Sequence, residues 1–270
     1  MARFVITPSA AATPALQVVE EIDFTADVTT LDMSAGAGTY TLLKGDGATT
    51  KATITVGTDV SGGAVTYTTL QVSAGSGLQV NVSASASNKN FFFAVALPTT
   101  GIDIDKDCVM LEWLIDSLAF GGTPGSCIVQ YFLSNAASNR GTPSYGLQIA
   151  RNSSDTQAEY KTQRNYNSSI TRSGAQIVAG TTDTAQHVQI ITRNKGAMIC
   201  RDTGTSMADP YTVSTFVGDT GTRTWSAAQP VNNDWGTPYA SHLTYLAGSG
   251  DSVSFNVSKI RICNFSPYSS

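Results

Sequence analysis

The sequence predicts an all-β protein made of two successive antiparallel β regions, and three observations carry that expectation. Apolar and polar residues alternate with a period of two through many short segments, TYTLLKG and ATITV among them. No window places apolar residues at i, i+3, i+4 and i+7 for three turns, so nothing carries the stripe of an amphipathic helix. Charged residues are only 13% of the chain, and Gly, Ser and Thr take up the difference, a mix that suits short strands and tight turns.

Taken in order, residues 1–15 are Ala, Pro, Ser and Thr with few anchors and read as an extended N-terminal arm. Residues 16–85 then form a small β module with strands expected at 16–24, 39–44, 51–57, 64–73 and 78–84. Its turns are marked by Gly36-Ala37-Gly38, Gly45-Asp46-Gly47, Ser61-Gly62-Gly63 and Gly75-Ser76-Gly77. The polar run SASASNKN at 83–90 is the best domain boundary, because it has no large apolar residue. Deleting 1–85 should then leave a soluble second unit. That second region, 86–270, opens with strands at 90–98, 108–117, 127–133, 145–151 and 157–164, separated by Gly-, Pro- and Asn-rich loops. Its clearest element is a hairpin over 184–202: Val188, Ile190 and Thr192 alternate with Gln189, Ile191 and Arg193 before an Asn194-Lys195-Gly196 turn. A closing strand at 251–265 carries Val253, Phe255 and Val257, then Ile260, Ile262 and Phe265 after a phase change near Ser258.

The runs FFFAVALP, CVMLEWLID, YGLQI, HVQIITRNKGAMICRD and SVSFNVSKIRICNFS together resemble a concanavalin A-like, laminin-G-type jelly roll. The resemblance covers about 86–270 and implies two packed antiparallel sheets, with the last strand beside the first. It implies no reaction, since so widely reused a fold says little about activity. Domains of this kind occur in bacteriophage decoration, fibre and tail appendage proteins, where an anchoring module precedes an outward-facing one.

Chemistry-bearing motifs are scarce. Glycosidases of this fold use paired acids, which makes Glu112 and Asp116 the pair to test. Four residues along a strand separate them by about 13 Å, beyond the roughly 5–9.5 Å that either glycosidase mechanism needs. The E-x-D-x-x-E pattern is also missing. Asp103, Asp105 and Asp107 offer oxygens to calcium, but Cys108 stands where an EF-hand needs Gly, so they read as a solvated acidic approach to a strand. His187 and His242 have no G-x-S-x-G elbow to serve, and His187 reads as a partly buried ring at a strand start. Cys108, Cys127, Cys200 and Cys263 lie far apart in apolar runs and read as buried thiols rather than metal ligands. No cofactor or metal is expected.

The strongest surface candidate is TWSAAQPVNNDWGTPY at 224–239. Trp225, Trp235 and Tyr239 offer flat faces for sugar rings, and Asn232, Asn233 and Asp234 offer partners for hydroxyls. The alternative use of those aromatics is to pin the loop to the sandwich or to a neighbouring subunit.

A net charge of −4 without a basic stripe argues against nucleic acid, and no apolar run reaches the roughly 18 residues of a membrane helix. Pro8 and Ser9 interrupt the N-terminal apolar residues, so no secretory signal is read. A surface so poor in charge suits an assembly. The expectation is a non-catalytic structural and interaction protein: a bacteriophage virion component assembled in the host cytoplasm. It would be a homo-oligomer, a trimer by preference, touching other virion proteins and a host-surface glycan. The other function left open is a carbohydrate-binding module using the 225–239 loop.

Overall fold

The computed structural model describes residues 16–58, 63–98, 108–122, 127–137, 144–151, 158–166, 169–178, 186–193, 196–202 and 237–265. Among these residues the chain forms sixteen strands and no helix. The strands are β1 Leu16–Asp23, β2 Leu31–Asp32, β3 Gly38–Leu43, β4 Thr50–Gly57, β5 Thr66–Ser73, β6 Gly77–Ser83, β7 Lys89–Ala96 and β8 Cys108–Gly121. They continue as β9 Cys127–Ser134, β10 Ser144–Arg151, β11 Ala158–Tyr166, β12 Ser169–Val178, β13 Gln186–Arg193, β14 Gly196–Asp202, β15 Tyr239–Leu246 and β16 Ser252–Phe265.

These strands make two eight-stranded antiparallel sheets. Sheet A runs β14-β13-β8-β16-β6-β5-β2, with β1 also paired to β16; sheet B runs β12-β11-β10-β9-β15-β7-β4-β3. The expected hairpin is present, with His187 opposite Asp202 and Arg193 opposite Gly196. The expected phase change near Ser258 is a β-bulge, since the β16–β8 register passes over Ser258 on one strand and Asp116 on the other. The bulge is tied on both sides. The Ser258 hydroxyl donates to Asp116 Oδ1 at 2.9 Å, and the Ser258 carbonyl accepts from Phe24 N at 2.8 Å.

The division expected at residue 85 does not separate two hydrogen-bonded units. β6 and β1 share one flank of β16, opposite Ser252–Val257 and Lys259–Phe265 respectively, while β4 pairs with β7. Strands from both sides of the expected boundary therefore lie side by side in both sheets. The run around 84–88 crosses from sheet A to sheet B, and residues 247–251 cross back. The two crossings are stitched together by Ala84 N to Asp251 O at 2.8 Å, Gly250 N to Ala84 O at 2.7 Å and Asn88 N to Ala247 O at 3.2 Å. A polar, turn-rich run is what such a crossing needs, and a linker has the same composition.

Three strands go beyond the expected set: β2, β12 and β15. β15 is central, between β7 and β9, and is buried at Ala240 through Thr244, so its residues never alternate between core and water. A strand enclosed on both faces loses the period of two that marks a half-exposed one. β7 is enclosed in the same way, but its FFFAVA run is apolar enough to stand out.

One continuous core fills the space between the sheets. Its centre is aromatic: Phe91 and Phe93 of β7, Trp113 of β8, Tyr131 of β9 and Phe255 of β16, all at 3% exposure or less. Rings of this size bury about 150–250 Å² each and account for much of the drive that holds two sheets together. Tight turns frame the layers, and two glycines there take positive φ. Gly77, at φ +84°, would put a Cβ 2.7 Å from the Val257 carbonyl oxygen. Gly47, at φ +71°, turns β3 into β4 while the Asp46 carboxylate accepts from Ala48 N and Thr49 N, each at 2.8 Å.

Candidate functional site

Most of the expected glycan loop, including Trp225, Asn232, Asn233, Asp234 and Trp235, lies outside the described residues. Tyr239 is described. It opens β15, half-buried, directly opposite Ala96 of β7 and Ser134 of β9. The loop therefore enters the fold at the centre of sheet B. Asp103, Asp105 and Asp107 also lie outside the described residues, as does the His187 side chain. Among the described residues no three His, Cys, Asp or Glu side chains gather as a metal cage.

The two acids singled out for catalysis occupy different settings. Glu112 is 0% exposed on the face of sheet A turned away from the core. Its Oε2 accepts from Arg261 Nε and Nη2, both at 2.5 Å, and Arg261 stands directly opposite it on β16. A carboxylate held this way is an acceptor already engaged. Asp116 sits at the bulge and reaches solvent; partial burial pushes its carboxyl above the usual range, while the Ser258 hydroxyl pulls the other way. The nearby Asp23–Lys259 pair, at 2.8 Å, forms a half-buried ion pair on the same sheet. Cys127 and Cys263 are buried free thiols, as expected, and burial pushes the Cys263 thiol up to about 12.

The layer beneath Tyr239 is the outer face of sheet B, an enclosed set of residues that the sequence reading missed. The alternation that sends Phe91, Phe93, Tyr131 and His242 inward sends Phe92, Phe132, Ser241 and Leu243 outward. Phe92, Phe132 and Leu243 form an apolar cluster separate from the main core, exposed by 8% or less. Around it stand polar residues: Ser134, Gln130, Gln148 and Ser241 are all buried as well. Gln130 Nε2 donates to Gln148 Oε1 at 2.7 Å across the β9–β10 ladder.

Two glycines shape this face. A Cβ on Gly146 would lie 2.2 Å from the Tyr131 carbonyl oxygen and 2.3 Å from the Phe132 ring, so that ring lies over β10. A Cβ on Gly57 would lie 2.8 Å from the Phe92 ring, so that ring lies over β4. Both rings lean away from β15. Between them Ser241 stands opposite Ala94 and Phe132, and its hydroxyl is enclosed without a hydrogen-bond partner among the described residues. An enclosed hydroxyl with no partner is costly. Together these residues make an enclosed layer of aromatic rings, side-chain amides and a hydroxyl, with the half-buried Tyr239 at its edge. The available signal was the middle residue of FFF, along with the Gln of VQYF and of YGLQIA, each out of phase with the core positions.

No protein-family model matches the chain, and no curated protein matches it. Among solved structures it is similar to the CBM2 module of the evolved Dit of Lactobacillus casei BL23 phage J-1, with a TM-score of 0.50 and 9% identity over 94% of this chain and 98% of that one. It is also similar to a glycosyl hydrolase family protein from Mycobacterium fortuitum (TM-score 0.43, 12% identity, 91% and 99% of the two chains). A third similar structure is the metal-free Emp46p carbohydrate recognition domain (TM-score 0.41, 12% identity, 77% and 87%). At identities this low the likeness is one of fold, and what it shows is that the chain is an all-β sandwich of jelly-roll type.

Proposed function

We propose that the protein is a non-catalytic, lectin-like interaction module that a bacteriophage virion displays and that binds carbohydrate. The observation that carries this reading is the correspondence of the fold with the phage Dit CBM2 module over nearly the whole of both chains. Two features of the site support it. The outer layer of sheet B, exposed by 8% or less, holds aromatic rings beside amides and hydroxyls and backs Tyr239, the end of the aromatic loop whose residue types suit stacking and hydrogen bonding to neutral sugars. The acid that glycoside hydrolysis would call on, Glu112, is instead sealed against Arg261. On this reading Trp225, Trp235 and Tyr239 stack on the saccharide, and Asn232, Asn233 and Asp234 bond its hydroxyls. The module belongs to a capsid decoration, head fibre or tail appendage, and it assembles as a homo-oligomer beside other virion proteins.

A saccharide panel tests the binding. The full-length chain should bind a subset of neutral glycans, and Trp235→Ala should weaken the strongest by tenfold or more. Absence of binding across a broad panel would refute the carbohydrate reading. Light scattering on a sizing column should return a trimer or another closed oligomer, and a monomer at all concentrations would count against self-assembly.

A further inference from the structure

The imidazole of His242 has no role in the binding face; it is turned to the other side of β15, into the middle of the sandwich. It is 0% exposed. Phe255 lies 4.5 Å from it between ring centroids, Tyr131 4.9 Å, Phe93 5.0 Å in a stacked arrangement, and Phe91 5.7 Å. Those rings come from β16, β9 and β7, so both sheets close on the imidazole. Nε2 and the Thr244 hydroxyl are 2.7 Å apart, and Nδ1 has no hydrogen-bond partner among the described residues.

Among the described residues no carboxylate faces the imidazole as a counter-ion. The inward positions of β7 are Phe91, Phe93 and Val95; those of β9 are Cys127, Val129, Tyr131 and Leu133. Trp113 and Ile115 face in from β8, and Val253, Phe255 and Val257 from β16. The only titratable groups in this set are the Tyr131 phenol and the Cys127 thiol, and neither is a carboxylate. Glu112 neighbours Trp113 in sequence but sits on the opposite face with Arg261.

We propose that His242 is an acid trigger: protonation of this one ring forces the two sheets apart, so the sandwich is closed only while the imidazole is neutral. A charge enclosed by four aromatic rings without a counter-ion costs far more than the opening that would hydrate it. The opening reaches the outer face as well, because β15 carries Ser241 and Leu243 on its other side. Acid would therefore dismantle whatever that face binds. The proposal itself does not depend on the ligand.

Burial holds the His242 pKa well below 6.5 in the folded chain. The sign follows from that direction. The unfolded chain takes up the proton first, so stability is complete above pH 6.5 and falls as pH drops below it. The loss is about tenfold in the folding equilibrium for each pH unit, or about 30-fold by pH 5. The depressed carboxyls of Asp23 and Asp46 act only at lower pH, below their usual value of 3.8, and the raised carboxyl of Asp116 acts in the opposite direction.

The chain has two histidines, which makes the experiment clean. Urea unfolding between pH 7.5 and 4.5 should show this slope in the wild type and in His187→Gln, and should lose it from pH 6.5 to 4.5 in His242→Gln. Imidazole NMR of the wild type, assigned with the His187→Gln spectrum, should show His242 staying neutral for as long as the fold persists. That second measurement stands even if His242→Gln does not fold. An unchanged slope in a folded His242→Gln, or a His242 ring that titrates near 6.5 in the intact fold, would overturn the proposal.

Discussion

Replacing Arg261 with Met should be among the most damaging single changes on the outside of the sandwich. Arg261 puts Nε and Nη2 2.5 Å from one oxygen of Glu112, whose side chain is fully enclosed. Removing the guanidinium takes the charged partner away from an enclosed carboxylate. Breaking one partner of a buried pair in this way costs about 3–5 kcal/mol. The Arg261→Met/Glu112→Leu double variant removes both charges and should recover most of that, because buried pairs gain little over apolar residues of similar size. Urea unfolding followed by tryptophan fluorescence on both single variants, the double variant and the wild type gives the coupling energy. A loss below 1 kcal/mol in Arg261→Met would show that the pair is solvated, and the account of Glu112 as a sealed structural acid would fall with it.

Two further outcomes follow from the packing. Gly146→Ala pushes a methyl into the Tyr131 carbonyl and the Phe132 ring, so it should cost about 1–3 kcal/mol as an overpacked site and displace Phe132, seen as shifted ring resonances. Deletion of residues 1–85 removes β1 and β6 from β16 and β4 from β7, leaving two central strands as open edges. The remaining 86–270 fragment should be insoluble or lack a cooperative melt; a soluble, cooperatively folded fragment would show that the two regions are separable after all.

Much of this fold was legible in the residues because much of it is local. The β13–β14 hairpin follows from alternation around a two-residue turn, and the Ser258 bulge from the change of phase between Val257 and Ile260. Pairing between distant strands leaves no such trace. Nothing in GLQVNVS says that its partner is SVSFNV near the other end of the chain, so two interleaved regions read as two consecutive ones. β15 was illegible for another reason: Ser241, His242 and Thr244 break the apolar run of a strand that is nonetheless enclosed on both faces. With β15 went the outer face of sheet B, whose residues come together only through three registers at once. The aromatic loop was legible as a candidate. Its point of entry at Tyr239 was not, since that depends on where β15 lies.

The most direct test of the central claim is calorimetric titration of the strongest panel saccharide into the wild type and Tyr239→Ala. Tyr239 is where the aromatic loop meets the outer face of sheet B, beside Ser134 and Ala96. Saturable binding by the wild type that weakens tenfold or more in a folded Tyr239→Ala chain is the expected result. Equal binding by both chains would place the saccharide elsewhere and contradict the site.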